Sequence, residues 1–189
     1  MSRWHPKQRA DLDPDGQHAW DAIVGARGDA AVDRRGYLVG PFGPWMHNPR
    51  MAAALVDAGT SIRGSGLDVG LTELAIVVVA AHWRADFQWW FHSPLALQHG
   101  LSAEQLAAIR RRRVPAFARD DQATVHAVVA ELLRSGQVAD DVFACAVTAI
   151  GEPGIVALVA LCGYYSTVSF TLNAFGVDVP PGHEIRWDE

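Results

Sequence analysis

The chain has 189 residues, 50% of them hydrophobic and 20% charged, a length and composition that suit one soluble globular domain with a real core and exclude a disordered tail. Its formal net charge of −5 argues against nucleic acid as a partner, since no basic face would neutralise phosphates. Residues 1–7 hold no apolar signal segment, and the longest apolar runs, about ten residues, are cut by Gly, Glu and Pro. These features predict a cytoplasmic protein with no membrane partner.

The first helix is predicted at Asp13-Pro14-Asp15-Gly16, where Asp13 can cap free N–H groups and Pro14 suits the first helical position. Trp20, Ile23 and Val24 share one of its faces, and Gly25 or Gly28 ends it. From Gly36 to Trp45 the chain is rich in Gly and Pro, and Pro41 and Pro44 predict an ordered loop. Asn48-Pro49 repeats the cap-then-proline signal for a helix that carries Met51, Leu55 and Val56 and stops near Gly59. A turn through Gly64, Gly66 and Gly70 follows.

The next stretch, residues 71–92, begins with an apolar run carrying Glu73 and ends in four aromatics and a histidine within six positions. On one straight helix Glu73 and His92, nineteen residues apart, would differ by about 100° and lie far apart along the axis. They meet only if the chain reverses. Arg84-Ala85-Asp86 offers the break, with Asp86 as N-cap of the second arm. A helical hairpin is therefore expected, 72–83 against 87–99, with Pro94 kinking or restarting the second arm. Ala85, Gln88, His92 and His99 share a face of that arm, while His82 lies nearly opposite Glu73 on the first.

Beyond the hairpin, Gly100 suits a left-handed helix end and Ser102-Ala103-Glu104-Gln105 forms a capping box, with Leu106 and Ile109 buried. The basic cluster at 110–113 reads as a solvated helix end. Asp120 or Asp121 starts a helix that ends at Gly136, and Asp140 or Asp141 starts one that ends at Gly151. Pro153 opens the longest, to about Phe175, apolar on nearly every side and so central or at a subunit interface. Cys145 and Cys162, seventeen positions apart, fit neither metal nor redox spacing and read as buried free thiols. No alternating strand pair is found. The predicted class is all-α, a bundle of about six to eight helices around a central hairpin, in one domain spanning 1–189 with 1–40 as an N-terminal extension.

A carboxylate flanked by Leu74, Ile76 and Val77 loses hydration when buried, and an adjacent imidazole can share a proton with it near neutral pH. Glu73 and His92 are thus candidates for a general acid/base pair. The same residues also suit a first-turn acid satisfied by backbone N–H groups and a core histidine with one partner.

The segment resembles the carboxymuconolactone decarboxylase and alkylhydroperoxidase D-like family. That signature places an acid at the head of an apolar helix, then a turn, then Cys-x-x-Cys-x-x-x-His. Here the acid falls on Glu73 and the histidine on His92, while the cysteine positions hold Ala85 and Gln88. Gly40-Pro41-Phe42, the Asn48-Pro49 helix, Gly100-Leu101-Ser102 and the stretch from Gly163-Tyr164-Tyr165 to Leu172-Asn173-Ala174-Phe175 extend the likeness over about residues 12–180. The resemblance implies the family's helical fold and trimers or hexamers.

The peroxide-reducing branch needs a thiolate nucleophile, which Ala85 and Gln88 cannot supply. The resemblance then implies a lyase that needs no cofactor, acting on a small carboxylated lactone or related cyclic acid. In that role His92 donates or shuttles a proton, Glu73 sets its tautomer, and His82 is a second candidate, for the substrate carboxylate. Trp83, Gln88, Trp89 and His47 are candidate substrate contacts. Tyr164, Tyr165 and Asn173 read as structural. Glu73 with two histidines counts as a metal ligand set, but the opposite orientation of His82 argues against one. The competing class is a non-catalytic helical oligomer that binds a small molecule or a partner protein.

Overall fold

Asp13 closes the start of the first helix as its sequence requires: its carboxylate accepts the Gly16 N–H at 2.8 Å, and Pro14 fills the first helical position of α1 (Pro14–Arg27). Gly28, with φ 73°, ends it in a conformation that costs a residue with a side chain. The computed structural model describes residues 3–187, and every regular element in them is helical. Among the described residues the one isolated extended pairing is a bridge between Val32 and Leu38. The expected loop at Gly36–Trp45 contains a single helical turn, α2 (Phe42–Trp45), with Pro41 just before it.

The chain divides into two compact units, one of residues up to Ser61 with Thr171–Asp178, the other of Ile62–Phe170 with residues from Val179 on. In the first, α1 and α2 are joined by the opening of α3 (Pro49–Arg63), where the Met51 N–H donates to Asn48 Oδ1 at 3.3 Å. The indole N–H of Trp45 donates to Thr171 Oγ1 at 3.0 Å. Helix α3 does not stop at Gly59 as expected but continues to Arg63, because Gly59 is buried within it and meets no break. That extra turn brings Arg63 into the second unit.

The second unit is built around α4 (Val69–Trp83). Asp68 caps it by accepting the Leu71 N–H at 3.1 Å, and every residue from Gly70 to Ala81 is buried. Ile76, Val77, Val78 and Val79 are poor helix formers by intrinsic preference. Burial decides here, since each such side chain contributes about 1.5–3 kcal/mol when removed from water. The helix packs against α5 (Asp86–Gln98), α6 (Ala103–Arg110) and α7 (Asp120–Ser135).

The hairpin forms at the expected place. Arg84 adopts φ 49°, ψ 47°, and the Ala85 N–H donates back to Ala80 O at 2.9 Å. Two details differ from expectation. Ala85, not Asp86, is the N-cap residue of α5, and the Asp86 carboxylate instead accepts the indole N–H of Trp187. Pro94 lies inside α5 without ending it. Its ring is on an exposed side, so it forgoes one backbone bond without disturbing the core.

Gly70 closes the hairpin at its far end. A Cβ there would meet the His99 carbonyl oxygen at 2.5 Å. Alanine ordinarily stabilises a helix relative to glycine by about 0.5–1 kcal/mol, but overpacking against backbone costs about 1–3 kcal/mol. Gly70→Ala should therefore lower the free energy of unfolding by about 1–2 kcal/mol in urea titration. A stabilised variant would show that the approach relaxes freely.

The capping box at Ser102 is formed, Gly136 ends α7 in the left-handed region, and α8 (Asp140–Phe175) is broken at Gly151, whose φ of 68° and ψ of 168° are not helical. The predicted boundary at Gly151–Pro153 is thus real. From Pro153 to Phe175 there is no charged residue, and α8 is long and apolar enough to cross a membrane by length and composition, against the expectation that no run is. Counting runs between glycines concealed this, because a helix carries through Gly163. The same helix buries Leu158, Leu161, Tyr165 and Val168, as a core helix does, while Val156 is 70% exposed and Phe170 50%. Of the two thiols expected to be buried, Cys162 is and Cys145 is exposed. Cys145 lies in the 140–150 segment, most of whose side chains face outward.

Candidate active site

Glu73, in the first turns of α4, is 1% exposed, and both its carboxylate oxygens are engaged. Arg63 Nη2 donates to Oε1 at 2.9 Å. His92 Nδ1, from α5, lies 2.7 Å from Oε2. The hairpin reversal is what brings these two residues together from nineteen positions apart, as the sequence predicted. Arg63 also donates through Nη1 to the Tyr165 hydroxyl at 2.9 Å, and the Tyr165 ring stands edge-on to the His92 imidazole with centroids 5.3 Å apart. The cluster is a closed circuit of an acid, a base, a guanidinium and a phenol.

Its charge state follows from the surroundings. Burial pushes the Glu73 carboxyl up, but the hydrogen bond and charge of His92, with those of Arg63, outweigh it and hold the group below the usual carboxylate value. Burial works against the Arg63 charge too, yet Tyr165 and Glu73 raise its pKa above the ordinary value. The pair is therefore ionised. An ionised carboxylate can only accept, so Nδ1 of His92 carries a hydrogen, and Nε2 is the nitrogen left to gain or lose a proton. The alternative of Glu73 satisfied by backbone N–H groups does not hold, since its partners are side chains.

The depressed carboxyl has a consequence for stability. Its folded pKa is below its unfolded one, so the unfolded state binds more protons as pH falls, and the contribution present above about pH 4.5 is lost as pH drops through the folded value. Urea midpoints should fall below that pH, and Glu73→Gln should make the decline shallower. Equal acid slopes for the two proteins would show that Glu73 is not held ionised.

The other predicted site residues lie elsewhere. His82 is nine residues beyond Glu73, about 13.5 Å along α4 and half a turn round it. It stands against Trp83 and beside Arg112, not with the Glu73 pair. Trp83 donates its indole N–H to Ser166 Oγ at 3.0 Å and packs on Phe170. Trp89 is buried edge-on to Trp187. The Gln88 amide is engaged at both ends: Nε2 donates to Ile76 O at 3.2 Å and Oε1 accepts from Ser169 Oγ at 3.0 Å. His47 is exposed, its Nε2 3.1 Å from the His5 carbonyl and its ring edge-on to Trp4. Tyr165 and Phe91 stand edge-on to the His92 ring.

Sequence reasoning missed Arg63 and gave Tyr165 only a structural part. Arg63 stands ten residues before Glu73, but with α3 ended at Gly59 it fell in a turn. The signal available was the basic residue that a helix running to 63 places in its last turn. Among the described residues no group of three or more His, Cys, Asp or Glu comes close enough to hold a metal ion.

Residues 49–131 match the model of the carboxymuconolactone decarboxylase family. A crystal structure of an Agrobacterium tumefaciens protein of unknown function, provisionally named antioxidant defence protein AhpD, is similar with a TM-score of 0.65 and 16% identity, covering 72% of this chain and 95% of that one. At that identity the likeness is one of fold. No functionally curated protein matches the chain. The matched segment runs from the start of α3 into α7 and holds Arg63, Glu73 and His92. The likeness to the carboxymuconolactone decarboxylase family covers that segment, 83 of the 189 residues.

Proposed function

We propose that the protein is a lyase needing no cofactor, which decarboxylates a small carboxylated lactone or related cyclic acid and protonates the product at His92. One observation carries the reading: a buried, ionised Glu73 held on both oxygens, with one of them fixing the Nδ1–H tautomer of His92. Such an arrangement fits proton transfer at the far nitrogen, because Glu73 stabilises the imidazolium while Arg63 balances the carboxylate.

In this scheme the bond between the ring carbon and the substrate carboxylate breaks. CO₂ leaves, and the electron pair stays as an extended enolate. Nε2–H of His92 delivers its proton to carbon, and the imidazole recovers a proton from solvent. Glu73 stays ionised throughout.

A dithiol peroxidase is disfavoured on two grounds. Ala85 and Gln88 stand where that branch carries sulfur, and burial pushes the Cys162 thiol up to about 12, which keeps it protonated at neutral pH. Exposed Val156, Val159 and Phe170 on α8 support self-association into a homo-oligomer.

Incubating the protein in D₂O with carboxymuconolactone and a series of related cyclic acids tests the reading. CO₂ release with one deuterium on the product carbon is expected from at least one of them. No CO₂ from any, with the protein folded, would favour the non-catalytic binding role.

A further inference from the structure

A cavity of about 190 Å³ lies between α4, α6, α7 and the segment after α6. Val78, Ala81, Ile109, Ala130 and Leu133 give it apolar walls. His82, His126, Arg112 and Arg113 also line it. It is separate from the Glu73–His92 pair, since His82 lies on the opposite side of α4 from Glu73 and about 13.5 Å further along.

The polar groups divide by what already holds them. Arg112, at φ 54°, donates to the Ala81 and His82 carbonyls at 3.3 and 2.9 Å, closing the C-terminal end of α4. Its guanidinium is structural. His126 is 7% exposed, packs on Phe117 with centroids 5.5 Å apart, and among the described residues neither of its ring nitrogens meets a hydrogen-bond partner. Its nitrogens are not sealed in the core, and the imidazole lines the cavity, where a ligand can reach it. Arg113 is exposed at the rim, with no ion pair among the described residues.

We propose that this cavity is a binding site for a small ring-bearing monocarboxylate, whose ring lies on Val78, Ile109 and Leu133 and whose carboxylate meets Arg113, His126 and His82. Size supports a ring, since a cavity of about 150 Å³ lined by apolar side chains takes up benzene. Charge supports an anion. No carboxylate lines the cavity, and two guanidiniums beside it repel a cation. Burial lowers the pKa of both histidines, with Arg112 adding to the effect at His82, so each imidazole is neutral at pH 7 and offers one N–H.

The proposal stands apart from the reading of Glu73 and His92, and the experiment keeps the two distinct. Sodium benzoate is titrated into the full chain by calorimetry, with imidazole nitrogen shifts followed by NMR. Saturable binding that moves the His82 and His126 signals is expected, weakened about ten- to a hundredfold in Arg113→Gln and in His126→Phe. Arg113 is exposed, so its variant tests the site without endangering the fold. His92→Gln should bind benzoate as the wild type does. No saturable binding at millimolar benzoate, binding that Arg113→Gln leaves unchanged, or binding that His92→Gln abolishes would each overturn the proposal.

Discussion

His92→Gln should lower kcat for CO₂ release by about 10²- to 10⁴-fold, the usual contribution of a positioned general acid. Glutamine reaches Glu73 Oε2 with an amide N–H in place of Nδ1–H, so the carboxylate keeps a donor and the hairpin keeps its closure. What it lacks is a nitrogen that titrates. The far-ultraviolet spectrum and thermal midpoint serve as controls and should stay near those of the wild type. A kcat within about threefold of wild type would remove His92 as the donor. Glu73 is a positioning residue, and its variant has a different signature. Glu73→Gln frees the imidazole to take either tautomer and removes the charge that stabilises the imidazolium, so the alkaline limb of the pH–rate profile, where the donor loses its proton, should move to lower pH while His92 remains able to donate. A profile lowered in height but unmoved would mean that Glu73 only holds the fold.

The hairpin was legible because its signals are local. An apolar run with an acid near its head, a break at Arg84–Ala85 and an aromatic second arm specify two antiparallel helices and, with them, the meeting of Glu73 and His92. What was not legible depends on neighbours distant in sequence. Gly59 reads as a stop signal, yet it is buried inside a helix that continues to Arg63, and only that continuation gives Glu73 its cation. Tyr165 lies in an uncharged stretch where tyrosine is ordinary core, and its hydroxyl acquires meaning only from Arg63, 102 residues before it, in contact at 2.9 Å. Gln88 and the tryptophans invited a substrate role because they are polar or large and near the pair in sequence. Helical geometry turns them elsewhere: Gln88 ties α4 to α8 through Ile76 and Ser169, and Trp83 points to Ser166. The family resemblance located the acid and the histidine. It gave no indication of the guanidinium that joins His92 in keeping the acid ionised.

That guanidinium carries the second large prediction. Arg63→Met should cost about 3 kcal/mol of stability at neutral pH, read from urea titration. Methionine keeps most of the apolar stem, so the loss isolates the charge and its two hydrogen bonds. Breaking a buried ion pair by removing one partner costs about 3–5 kcal/mol, because the remaining charge is left uncompensated. The lower end applies here, since the Arg63 side chain is 29% exposed and water can replace part of it. The loss should shrink when Glu73 is neutral: Arg63→Met in a Glu73→Gln background should cost well under half as much, a non-additivity expected of residues in one network. Arg63→Lys should recover only part of the stability, since an ammonium cannot span Glu73 Oε1 and the Tyr165 hydroxyl with the planar two-nitrogen fork that arginine supplies. If Arg63→Met cost less than about 1 kcal/mol, or the same in both backgrounds, Glu73 would not depend on Arg63 for its charge. His92 would then hold the carboxylate alone, through Nδ1–H at 2.7 Å.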